Sequence, residues 1–68
     1  MFAAMLRRDR ERWGLTIAQA AWRLGVRSSE YRELEAGTRW PSFDTYDRIC
    51  KLFAWPQAFM VLGRTTYR

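Results

Sequence analysis

The 68-residue chain has no histidine, one cysteine, one lysine, two prolines and four glycines. Each shortage excludes something. Without histidine there is no His/Cys zinc site and no Ser-His or Cys-His nucleophile pair, and one thiol cannot build a disulfide framework. β-branched residues are sparse and strict alternation of apolar and polar residues is missing, which argues against strands. The longest apolar stretch, Leu52 to Gly63, is broken by Pro56 and Gln57. It falls well short of the roughly 20 residues that a spanning helix needs, so no membrane partner is expected. A chain of this length is expected to be one domain that buries about 60% of its unfolded surface, with little left to wall an enclosed pocket. Neither catalysis nor a cofactor is expected of it. The lone cysteine suits a reducing compartment, and the arginines at 7, 8, 10 and 12 stand where a secretory signal would have its apolar run. The expected location is the cytoplasm.

What is abundant is positive charge. The formal net charge is +5, the isoelectric point is near 10.4, and eleven of the twelve basic residues are arginine, whose fork fits phosphate and guanine. The charge is uneven: residues 1 to 27 carry +4, residues 28 to 55 carry −1, and residues 56 to 68 carry +2. A polyanionic partner follows from the total, but the middle of the chain is acidic.

Gly14, Gly25, Gly37, Pro41, Pro56 and Gly63 cut the sequence into pieces suited to short helices. An all-α bundle of four to five helices is predicted over residues 1–62, with a loose tail at 63–68. The first helix is expected from Phe2 to Trp13, with Phe2, Met5, Leu6 and Trp13 inward and Gly14 as its left-handed stop. Thr16-Ile17-Ala18-Gln19 reads as a capping box, after which Ile17, Ala20, Ala21 and Leu24 form one buried stripe. Gly25 and Val26 make a turn into a third helix from Ser28 to Ala36, with Tyr31 and Leu34 inward. Ser42 caps a fourth helix with Phe43, Tyr46, Ile49, Cys50 and Phe53 inward, and Pro56 opens a short fifth that ends at Leu62. Cys50 is expected to be a buried, inert thiol.

Two short helices joined by a glycine turn, with Ala21 four residues before Gly25, form a helix-turn-helix pattern. Thr16, Ala21, Leu24-Gly25-Val26, Leu34-Glu35-Ala36-Gly37 and Pro41-Ser42 follow one another in the order and spacing of the Cro and phage-repressor type (XRE family) of helix-turn-helix domain. The chain resembles that family over residues 4 to 55. The resemblance implies a lambda-repressor-like fold and a sequence-specific transcriptional regulator that binds double-stranded DNA, normally as a homodimer on pseudo-palindromes. It also implies an ion pair between Arg10 and Glu35. The alternative for Arg10 is an ordinary solvated charge.

Mapped by the motif, the DNA-binding residues are Thr16, Arg27, Ser28, Ser29, Arg32, Glu33, Thr38 and Arg39. Arg32 can fork onto guanine or grip phosphate, the serines are short donors or acceptors, and a glutamate can accept from cytosine N4. Each residue also fits a plain solvated helix face, and Ser28 or Ser29 could instead cap the third helix in place of Arg27. Ile17, Ala36, Thr38 and Trp40 depart from the polar or basic residues usual in the family, and Glu30 and Glu33 place negative charge on the reading face.

Two surfaces stay open at this level. Trp22 is either core by a rotated packing or part of an exposed apolar strip with Ile17 and Ala18. That strip, with the acidic face of the third helix, would suit a fold turned into a protein-binding adaptor. Trp55, Phe59, Met60 and Leu62 are either a dimer or partner surface, or ordinary core closure.

Overall fold

The computed structural model describes residues 2–55, which form four α-helices and no strand. They are α1 (Phe2–Arg12), α2 (Ile17–Leu24), α3 (Ser28–Ala36) and α4 (Phe43–Phe53). The expected fifth helix, the tail from Gly63, and Phe59, Met60 and Leu62 lie outside the described residues. No helix among the described residues is long and apolar enough to cross a membrane.

Local chemistry fixes where the helices start and stop. Both halves of the capping box are formed at α2: the Thr16 hydroxyl accepts from the Gln19 amide at 3.0 Å, and the Gln19 side chain accepts from the Thr16 amide at 2.9 Å. At α4 the Ser42 hydroxyl accepts from the Thr45 amide at 3.1 Å. The first three helices close with paired backbone bonds around a glycine; after α2, for example, the Gly25 amide donates to Trp22 at 3.1 Å and the Val26 amide to Ala21 at 3.0 Å. Gly25 has φ +71°, a conformation that a side chain resists, and a Cβ there would also meet Arg48 Nη1 at 3.3 Å. The turn between α2 and α3 therefore requires glycine. α4 ends differently, on Ala54 at φ 59°. That strain, roughly 1 kcal/mol or more, is held by the Trp55 amide donating to Cys50 at 2.9 Å and by burial of the Trp55 ring.

α3 packs against both α1 and α2, and α2 packs against α4. The core joins Leu6, Ala20, Ala21, Leu24, Tyr31, Leu34, Ile49, Cys50, Phe53 and Trp55. Ala20 and Ala21 are almost wholly buried, and their small side chains let α2 lie close to its neighbours. Burial pushes the Cys50 thiol up from its ordinary pKa, so the thiolate is disfavoured.

Several expected positions are different in the structure. Ile17 is half-buried and packs against the core, as the stripe with Ala20, Ala21 and Leu24 expects, and it does not extend the exposed surface of Trp22 as the alternative strip would. Trp13, just past the end of α1, is 52% exposed, its ring meeting that of Phe53 edge to face. Phe43 is 57% exposed, and Thr45 is buried in α4 instead. The Thr45 Oγ1 accepts from the Ser42 hydroxyl at 3.0 Å, so this polar group enters the interior with a partner and Phe43 falls at the rim. Trp55 follows the core-closure alternative: only 8% exposed, it is wedged among Phe2, Tyr46 and Phe53.

Burial of Trp55 has a polar reason as well. Its indole Nε1–H donates to Asp9 Oδ2, and Arg8 Nε donates to the other carboxylate oxygen at 3.2 Å. Burial alone raises the Asp9 pKa, but the bonds from Trp55 and Arg8 outweigh it and hold the carboxyl below its ordinary 3.8. The unfolded chain therefore takes up this proton first as pH falls. The contribution of Asp9 to stability is whole above the ordinary value and is lost as pH drops through the folded value. In thermal unfolding, Trp55→Phe should fall well below the parent at pH 7 and approach it near pH 2. A gap that does not change with pH would contradict this role.

Candidate nucleic-acid interface

The outward face of α3 is assembled by what its inward face holds. Tyr31 and Leu34 are fully buried, and this sets the rotation that leaves Ser29, Arg32 and Glu33 in solvent. Ser28 and Glu30 are half-buried at the margins. The N-cap residue is Arg27 itself, extended at φ −74° and ψ 152°, and its side chain makes no capping bond. Neither Ser28 nor Ser29 takes the cap, because both already lie within the helix, so the exposed Arg27 guanidinium stands at the entrance to α3.

A charged clasp fixes the far end of α3. Arg10 donates from Nε to Glu35 Oε2 at 2.6 Å and from Nη2 to Glu35 Oε1 at 3.2 Å, and its Nη1 donates to the Leu15 carbonyl at 2.9 Å. The two side chains are only 13% and 9% exposed. One guanidinium thus ties α1, the link before α2, and the last turn of α3 together. The hydrogen bond to Glu35 raises the Arg10 pKa further. The Tyr31 hydroxyl is buried beside this pair, and burial, then its interactions with Glu35, push its pKa up.

A second clasp, absent from the sequence reading, sits on the turn. Arg48 of α4 donates from Nη1 to the Leu24 carbonyl at 3.1 Å, fastening the C-terminal end of α2. The contact spans 24 residues. Nothing in local spacing announces it.

The remaining expected contacts flank α3. Thr16 is exposed at the N-terminus of α2, where the first turn carries no acidic residue and the free end of the helix favours an anion. Thr38 and Arg39 are exposed beyond Gly37. The Thr38 amide donates to the Glu33 carbonyl at 3.1 Å, and Arg39 Nε donates to Glu33 Oε1 at 2.6 Å, which raises the Arg39 pKa. Arg39 is therefore already paired on this surface. Ala36 and Trp40 are also exposed, and the Trp40 ring leans toward Phe2. Trp22 projects from α2 at 82% exposure, beside Ala18, Gln19 and Arg23. The structure leaves no room for a rotated packing that buries it, since Ala20, Ala21 and Leu24 already occupy the inward side.

The arrangement is a fixed helix pair with a tight glycine turn, a second helix presenting arginine, serine and glutamate to solvent, and beside it a capped helix N-terminus with no acidic residue in its first turn. No curated protein and no solved structure matches the chain. The family model described as helix-turn-helix domain matches residues 1–59. With that match and an all-α fold whose α2 and α3 form the motif, the chain belongs to the helix-turn-helix domain family.

Proposed function

We propose that the protein is a sequence-specific DNA-binding transcriptional regulator that lays α3 in the major groove. The observation that carries the reading is the split of α3: Tyr31 and Leu34 lock one side into the core, while Ser29, Arg32 and Glu33 face solvent on the other. Arg27 and Arg32 supply positive charge, with the N-terminus of α2 and Thr16 placed for backbone phosphate. The regulator acts as a homodimer, whose two recognition helices would meet half-sites about 34 Å apart. Phe59, Met60 and Leu62 remain the proposed pairing surface.

Retardation of genomic fragments by the purified protein tests the reading. The expected result is binding that weakens steeply with salt, with Arg32→Ala reducing the slope of log affinity against log salt by about 0.9 if its contact is to phosphate. Relaxed preference at one guanine is expected if its contact is to a base. No retardation of any fragment at low salt would contradict it.

A second reading is favoured by one observation, the 82% exposure of Trp22 next to Ala18 and Arg23. In this reading the fold is an adaptor that docks another protein through α2. Its signature is a co-purifying protein lost on Trp22→Ala, with no DNA retardation.

A further inference from the structure

The Arg39–Glu33 pair joins the two charges that a DNA-binding surface would most need to use separately. Its position is set by backbone as well as by charge, because the bond from the Thr38 amide to the Glu33 carbonyl fixes the loop beside the helix. Both side chains remain about half exposed, so either can be taken by another partner. Glu30 adds to the negative field on Arg39. While paired, Arg39 is neutralised internally and releases few counterions at a phosphate.

Glu33, for its part, only accepts hydrogen bonds. In the major groove, guanine O6 and N7 and thymine O4 are acceptors and would repel it. The adenine amino group lies beside the N7 acceptor, whereas the cytosine N4 amino group is the donor of its edge without such a neighbour. We propose that Glu33 is the specificity-determining residue of the reading face: its carboxylate exchanges Arg39 for a cytosine N4 amino group, and Arg39 transfers to a neighbouring phosphate. On sequences lacking that cytosine the pair stays closed and affinity stays low. This rests on the DNA-binding reading and adds to it a base and an internal competitor.

The test uses duplexes selected by the purified parent protein and an unrelated duplex, with fluorescence anisotropy measured over a range of salt. Glu33→Gln should bind the unrelated duplex roughly three- to tenfold more tightly, with a salt slope steeper by about 0.9, and lose its cytosine preference at one position. Glu30→Gln, which removes the same charge without breaking the pair, should leave the slope as in the parent. On the unrelated duplex, Arg39→Ala should cost more affinity in the Glu33→Gln background than in the parent. If Arg39→Ala costs the same in both on that duplex, or if Glu33→Gln leaves slope and base preference unchanged, the exchange is overturned while DNA binding stands. If neither the parent nor Glu33→Gln binds any duplex, both are overturned.

Discussion

Glu35→Ala should lower folding stability by about 3–5 kcal/mol, because it strips the partner from a buried guanidinium. A chain of 68 residues has roughly 3–10 kcal/mol in total at about 0.05–0.15 kcal/mol per residue, so this variant should be largely unfolded near body temperature. Arg10 cannot easily relax into water, since its side chain is 13% exposed and its Nη1 is bound to the Leu15 carbonyl. Replacing both members together, Arg10→Met with Glu35→Met, should recover much of the loss, as no lone charge then remains inside. Urea unfolding followed by tryptophan fluorescence measures both. A Glu35→Ala midpoint corresponding to less than about 0.5 kcal/mol of change would mean that the clasp contributes little.

Trp55→Ala should be comparably damaging, at about 3–5 kcal/mol, the usual range for removing a buried tryptophan. Two losses combine in it. The ring contacts with Phe2, Tyr46 and Phe53 disappear, and Asp9 keeps its buried carboxylate without the indole donor. Trp55→Phe separates them in part, since it keeps an aromatic ring among these neighbours while removing the N–H, at a smaller loss of packing than Trp55→Ala. Thermal unfolding should rank parent, Trp55→Phe and Trp55→Ala in that order at pH 7. If Trp55→Ala instead kept the parent's stability and changed only its solution mass, Trp55 would belong to an interface after all.

The elements whose chemistry is local were legible in the sequence. Thr16 with Gln19, Ser42, and Gly14, Gly25 and Gly37 each act within a few residues of themselves, so spacing alone placed the end of α1, both ends of α2, the end of α3 and the start of α4. The features that escaped depend on tertiary partners. Asp9 lies one turn beyond Leu6 on the inward side of α1, yet its burial needs an indole 46 residues away. Arg48 looks like any surface arginine until the Leu24 carbonyl is brought to it. Aromatic residues were the hardest to assign, because helical phase tells which way a side chain leans but not whether anything waits there. Trp55 found a carboxylate and three rings, whereas Phe43 and Trp13 at helix ends stayed more than half exposed.

For the reading face, the sequence supplied which residues point outward and the structure supplied their state. Arg32 and Arg27 have no acidic partner within salt-bridge distance among the described residues, whereas Arg39 is held by Glu33. The net −1 of residues 28–55 therefore overstates the repulsion that DNA would meet, since Glu35 is neutralised by Arg10 from outside that stretch, while the Glu33–Arg39 pair cancels within it. Part of the positive charge is committed with it. Affinity on arbitrary sequence should be modest and selectivity should come from contacts made only at the right site.

The most direct measurement is protection of guanine N7 from methylation along a fragment selected by the protein, since N7 lies in the major groove. With α3 in that groove, protected guanines are expected in two clusters about one helical turn apart, and where Arg32 forks onto guanine rather than phosphate, Arg32→Ala loses at least one protected guanine per cluster. Binding that leaves every guanine N7 reactive would contradict a recognition helix in the major groove.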